Sequence, residues 1–82
     1  MKVTFKLYAT LSDFLPSGAS DHQIVLDVNS SATPNQLIDA HKVPRKMAHL
    51  VVLNGVYVQP GDRDKALQDG DTLAIWPPVA GG

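Results

Sequence analysis

Hydrophobic alternation with a period of two, present near both ends of the chain, is the constraint from which the rest of the reading follows. Val3, Phe5 and Leu7 alternate with Lys2, Thr4, Lys6 and Tyr8. This is the pattern of a strand with one buried face. Near the other end, Leu73 and Ile75 alternate with Ala74 and Trp76, so the stretch 72–76 reads as a final strand with Trp76 on the side away from the core. A second strand is marked by Ile24, Leu26 and Val28 alternating with Gln23, Val25 and Asp27. Residues 50–53 form a short continuous apolar run, expected of a strand covered on both sides or central in a sheet. Asn54-Gly55 follows it. Both residues tolerate positive φ, so they fit a type I′ hairpin turn leading into a returning strand over 56–58.

Only one stretch carries a strong helix signal. In Ser30-Ser31-Ala32-Thr33-Pro34, Thr33 can cap and Pro34 suits the first helical position. The helix is expected to run to about His41, to bury Leu37, Ile38 and Ala40, and to stop at Pro44. A shorter helix is expected over 9–15, carrying Leu11, Phe14 and Leu15 and ended by Pro16 and Gly18. Residues 17–22 read as a polar loop. Pro60-Gly61 and Asp69-Gly70-Asp71 read as turns, with Leu67 as an apolar anchor between them. One amphipathic helix on a mixed sheet of about five strands is an α+β two-layer architecture. A helix crossing one face and followed by strands is what a β-grasp domain requires.

The chain is long enough for one domain. It has no cysteine, so neither a disulfide nor a cysteine metal site reinforces it. The core must suffice, and a hydrophobic content of 44% makes that feasible. The absence of cysteine fits a reducing compartment. Charge interrupts the first residues too early for a signal peptide, and no apolar run approaches a membrane span. A soluble cytoplasmic protein without a membrane partner is expected. A net charge of −1 argues against a general nucleic-acid binder. All eight acidic residues are Asp, which favours turns and caps over helix interiors. Lys42, Arg45 and Lys46 cluster in mid-chain, and Asp62, Asp64, Asp69 and Asp71 cluster before the last strand. Solvated loop charge is the plainer explanation, and docking complementarity with a partner is the functional one.

No catalytic constellation is legible. His22, His41 and His49 lack metal-ligand spacing, and the serines show no nucleophile-elbow pattern. Phosphate-binding glycine loops are absent. An enzyme acting alone is not expected, and neither is a metal site. Trp76 is the sole tryptophan. It lies beside the C-terminal residues and is expected to face outward as an interface anchor, with packing over a sheet edge as the alternative. Tyr8, outward on the first strand, is expected in the same patch.

The sequence ends Pro77-Pro78-Val79-Ala80-Gly81-Gly82. Two prolines hold a chain extended, and two glycines make an unhindered tip able to enter a narrow cleft. The division expected is a β-grasp domain over 1–76 and an extended flexible tail over 77–82. The Gly82 carboxylate is the expected reactive group, with Gly81 beside it. At about 3.3 Å per extended residue, six residues reach some 20 Å.

The stretch from Asp69 to Gly82, DGDTLAIWPPVAGG, resembles the C-terminal signature of the MoaD/ThiS sulfur carriers. Its Pro-Pro-Val-Ala-Gly-Gly ending is most similar to that of the small subunit of molybdopterin synthase. Lys6-Leu7-Tyr8-Ala9-Thr10-Leu11 resembles the first strand and helix entry of that subunit, and Leu50-Val51-Val52-Leu53-Asn54-Gly55 resembles its central hairpin. The resemblance implies a ubiquitin-like fold and a chemical cycle. An E1-like adenylyltransferase would adenylate Gly82 with ATP and magnesium, which bind that enzyme; no cofactor is expected on this chain. Sulfur from a persulfide enzyme would replace AMP and leave a thiocarboxylate. The large subunit of molybdopterin synthase would then receive the tail, with Trp76, Pro77, Pro78, Val79, Ala80 and Tyr8 as partner-binding residues. Carriers for cysteine or tungsten-cofactor synthesis are alternatives with such an ending; the thiamine-pathway carrier is a further alternative, although it is usually shorter and lacks the Pro-Pro stem. A ubiquitin-like modifier conjugated through Gly82, or an interaction module with an inert tail, are the readings from other classes.

Overall fold

The computed structural model describes residues 1–79. Five strands form one mixed sheet: β1 (Lys2–Leu7), β2 (Gln23–Asp27), β3 (Leu50–Leu53), β4 (Val56–Tyr57) and β5 (Thr72–Trp76). Their order is β2-β1-β5-β3-β4. β1 and β5 run parallel, with Phe5 beside Leu73 and Leu7 beside Ile75. The other neighbours are antiparallel. β5, last in sequence, is therefore central in space.

One face of the sheet carries the core. Val3, Phe5, Leu7, Val51, Leu73 and Ile75 are fully buried there, against Leu37 and Ile38 of the helix α1 (Pro34–Ala40). Leu11, Val43, Ala48 and Leu67 close the rim. Ile24, Leu26 and Val28 pack on the same core from the edge strand, as their alternation predicts. Ala40 departs from expectation: it is exposed, on the flank of α1 turned away from the stripe that Leu37 and Ile38 bury.

α1 starts where the sequence places it. The Thr33 hydroxyl accepts from the Gln36 N–H at 3.1 Å, and the Gln36 side chain accepts from the Thr33 N–H at 3.2 Å. This reciprocal box satisfies two donors that the first helical turn leaves open. The helix ends through Lys42 in the left-handed region, at φ 62°. The Val43 N–H reaches back to the Ile38 carbonyl at 3.1 Å and the Lys42 N–H to that of Asp39 at 3.0 Å. These are the two bonds of a Schellman ending, completed before Pro44 is reached.

Three local features add detail to the expectations. The short helix expected over 9–15 is present as a 3-10 helix over Ala9–Phe14. The loop 17–22 holds a second hairpin turn, in which Ser20 pairs with Gln23 around Asp21 and His22, both at positive φ. Of the two placements that its apolar run allowed, β3 takes the one inside the sheet, between β5 and β4, with one face covered: Val51 is fully buried while Leu50 is 38% exposed. The turn at Asn54-Gly55, with φ of 51° and 85°, is as expected. Among the described residues, no helix is long and apolar enough to cross a membrane.

Candidate functional site at the tail root

β5 leaves the sheet between its two neighbours. The Tyr8 N–H donates to the Ile75 carbonyl at 3.0 Å, and the His49 N–H donates to the Trp76 carbonyl at 3.1 Å. The main chain of the last strand is thus gripped from both sides up to Trp76. Residues 77–79 beyond it are not part of a strand. Pro77 is half-buried, Pro78 is exposed, and Val79 is 78% exposed. The expected tail residues Ala80, Gly81 and Gly82 lie outside the described residues.

Alternation places Trp76 on the face opposite Leu73 and Ile75, as read from sequence. Its ring is half-buried because Tyr8 lies flat on it, with ring centroids 4.4 Å apart and planes 6° from parallel. On its other side Tyr8 stacks with His22 at 5.6 Å. Tyr8 reaches this position because β1 ends at Leu7 and the chain turns at once through Ala9, at φ 53°. A left-handed conformation costs an alanine about 1 kcal/mol, and this strain lies against the aromatic stack.

Beside the stack is an apolar groove of about 360 Å³, lined by Ala9, His49, Leu50, Trp76, Pro77, Pro78 and Val79. Leu50 pairs directly with Trp76 across the sheet, and Val52 with Ala74. The open face near the tail is therefore apolar, where a solvated antiparallel sheet is ordinarily polar. Of the expected site residues, the structure brings Tyr8, Trp76, Pro77, Pro78 and Val79 to one end of β5. Sequence reasoning missed His49, Leu50 and Ala9 as wall residues.

The acidic cluster finds partners within the fold, and Arg45 of the basic cluster does too. Asp71 accepts from the Asn54 amide at 2.8 Å and from the Gln68 N–H at 2.7 Å. Asp69 accepts from the Lys2 N–H at 2.7 Å, and Asp64 from the Asn35 amide at 2.9 Å. Asp62 pairs with Lys65 at 3.2 Å. Arg45 forks onto Asp39 with bonds of 2.8 and 2.6 Å, and the Arg45 hydrogen bond holds the Asp39 carboxyl below its ordinary value. Turn-building, rather than docking, accounts for the carboxylates. His41 donates its Nδ1–H to the Leu37 carbonyl at 2.7 Å and packs its ring on Phe5. Among the described residues, no group of three His or Asp is placed to hold a metal ion.

Comparison with known proteins agrees with this architecture. The family model described as Mut7-C ubiquitin matches residues 1–81. SAMP1, the small archaeal modifier protein 1 of Haloferax volcanii, is 26% identical over the whole of both chains, with a TM-score of 0.69. A protein assigned as molybdopterin converting factor subunit 1 from Pyrococcus furiosus is 24% identical over 95% of this chain and 98% of its own, with a TM-score of 0.65. Subunit 1 of the Helicobacter pylori molybdopterin-converting factor, solved in complex with subunit 2, shares the fold at 17% identity and a TM-score of 0.61, covering 100% of both chains. Among curated proteins none matches the sequence significantly. The expected β-grasp, ubiquitin-like fold is borne out, with molybdopterin converting factor subunits and a small archaeal modifier protein among the structures that share it.

Proposed function

The chain belongs to the Mut7-C ubiquitin family, and from that premise we propose that it is a sulfur carrier whose Gly82 carboxylate is activated and converted to a thiocarboxylate. The observation that carries the reading is the geometry of the tail root. The chain is held firmly up to Trp76 and becomes progressively exposed over residues 77–79, beside an apolar groove and an aromatic stack. A rigid platform next to an extending arm suits a protein that presents its end to another protein's active site. The Gly81-Gly82 tip carries no side chain to obstruct entry.

The chemistry needs activation because a carboxylate is a poor electrophile. An E1-like adenylyltransferase with ATP and magnesium forms the acyl adenylate and releases pyrophosphate. Sulfur from a persulfide enzyme displaces AMP, and a thiol then cleaves the resulting acyl disulfide to free the thiocarboxylate. Its sulfur is a nucleophile on a movable arm. The finer reading is that the acceptor is the large subunit of molybdopterin synthase, with Trp76, Tyr8, Pro77, Pro78, Val79 and Ala80 at the interface. Carriers for thiamine, cysteine or tungsten-cofactor synthesis use the same logic.

A second reading, a protein modifier conjugated through Gly82 to lysines, is favoured by one observation. The small archaeal modifier protein 1 is similar over its full length. One experiment separates the readings. The full chain is incubated with ATP, an E1-like adenylyltransferase and a persulfide donor, and its intact mass is measured. A gain equal to replacing oxygen by sulfur, absent when Gly82 is deleted or one residue is added after it, is the expected result. No gain, with the activating enzyme competent on its own carrier, sinks the sulfur-carrier reading. Isopeptide adducts in cells without thiocarboxylate establish the modifier.

A further inference from the structure

Arg63 is the buried charge that no part of the function described so far employs. Its residue is only 8% exposed. Among the described residues no carboxylate forms an ion pair with it. A guanidinium stays charged when buried, and taking an ion out of water costs several kcal/mol unless its donors are met. Here main-chain carbonyls meet them. The Nη1 group donates to the Ala48 carbonyl at 3.0 Å, Nε to that of Val58 at 3.1 Å, and Nη2 to that of His49 at 3.4 Å.

The positions of those acceptors matter more than their number. Ala48 and His49 lead into β3, and Val58 follows β4. One planar fork therefore ties the entry of the hairpin to its exit. His49 in turn donates its N–H to the Trp76 carbonyl, the last main-chain grip on β5, and His49 and Leu50 form the groove wall facing Pro77, Pro78 and Val79. Arg63 is itself anchored: its carbonyl accepts from the Asn35 N–H at 2.9 Å, at the start of α1. A continuous hydrogen-bonded path thus runs from the helix start through Arg63 and His49 to the point where the tail leaves the sheet.

We infer that Arg63 is a positioning residue for the tail root: its fork fixes the His49–Leu50 wall, and so the shape of the groove and the direction in which residues 77–79 leave β5. What this positioning serves rests on the carrier reading above, whereas the placement itself is tested on the protein alone. Lysine cannot reproduce it, since a single ammonium lacks the planar fork.

The test compares Arg63→Lys and Arg63→Met with Leu26→Ala, a change on the far edge strand that lowers stability without touching the path. Amide hydrogen exchange is followed for each full-length variant after matching global stability with denaturant. KM and kcat for thiocarboxylate formation are measured with the E1-like enzyme, ATP and persulfide donor. The expected result is exchange at His49 about ten-fold faster than in Leu26→Ala, a local loss of about 1.4 kcal/mol, with KM raised and kcat unchanged in both Arg63 variants. If Arg63→Met does not fold, Arg63→Lys decides. His49 exchange equal to that of the control overturns the inference, and so does faster exchange with an unaltered KM. If the wild-type chain is not loaded at all, the carrier reading fails, while the His49 exchange still decides whether Arg63 holds the wall.

Discussion

The two ends of β5 are held by different chemistry. At its start, bonding is polar and closed. The Asn54 side chain accepts from the Thr72 N–H at 2.8 Å and donates to Asp71, while the Asp71 carbonyl accepts from the Thr4 N–H at 2.9 Å. Asp71 is buried and fully occupied within the fold. At its finish, two main-chain bonds and the flat overlap of Tyr8 on Trp76 do the holding, and apolar surface is left open beside them. Directional bonds that close on themselves offer nothing to a partner. Stacking leaves edges and a groove that still gain from being covered. The same strand is therefore closed by polar bonds at one end and bordered by open apolar surface at the other.

The comparison breaks outright with Ile75→Ala. Removing a fully buried side chain between the two ends should cost about 3 kcal/mol, seen as a lower urea midpoint, with both ends lost together. Asp71→Ala sharpens it. Leaving the Asn54 amide and the Gln68 N–H without their acceptor should cost about 2 kcal/mol of stability, while partner affinity, titrated under conditions where the variant is folded, stays unchanged. Trp76→Ala should behave in the opposite way. Affinity for the large subunit proposed as its partner should fall by about 2 kcal/mol, against about 1 kcal/mol in thermal stability from the lost stack. Equal losses in both measurements would assign Trp76 to the core. The smallest effect is expected far from β5, at Asp39→Asn. Arg45 lowers the Asp39 pKa, so the ion pair contributes above the ordinary carboxylate value of 3.8 and its contribution disappears as pH falls through the lowered value. Both groups are exposed, so salt and solvent screen the pair. The wild type and Asp39→Asn should differ slightly in thermal midpoint at neutral pH and converge in acid.

What was legible in sequence followed from local chemistry. Asn54-Gly55 announces its turn because the pair ends in glycine, whereas Asp21-His22 adopts the same signs of φ without one; Asp and His tolerate that region but do not by themselves mark a hairpin. Thr33-Pro34 marks a helix start; Lys42 does the work of a terminal glycine and gives no signal. Alternation correctly places Trp76 on the outer face. The apolar run at 50–53 left two placements open; the structure has the one inside the sheet, where Leu50 and Val52 continue the apolar surface beside Trp76 and Ala74. The groove was illegible, since Ala9, His49 and Trp76 come from three distant segments. Arg63, between Asp62 and Asp64, looks like one more loop charge. Its role depends on where three carbonyls meet in space.

The central position of β5 also has a mechanical consequence. A partner that draws the tail into its cleft pulls along the axis of a strand bonded on one side to parallel β1 and on the other to antiparallel β3. That force loads both ladders in shear, so their bonds resist together, whereas an edge strand peeled away sideways surrenders them one at a time. Resistance to forced unfolding is set by the unfolding rate rather than by equilibrium stability. Even a small domain of modest stability can then have its arm pulled and released repeatedly without losing the strand that carries it.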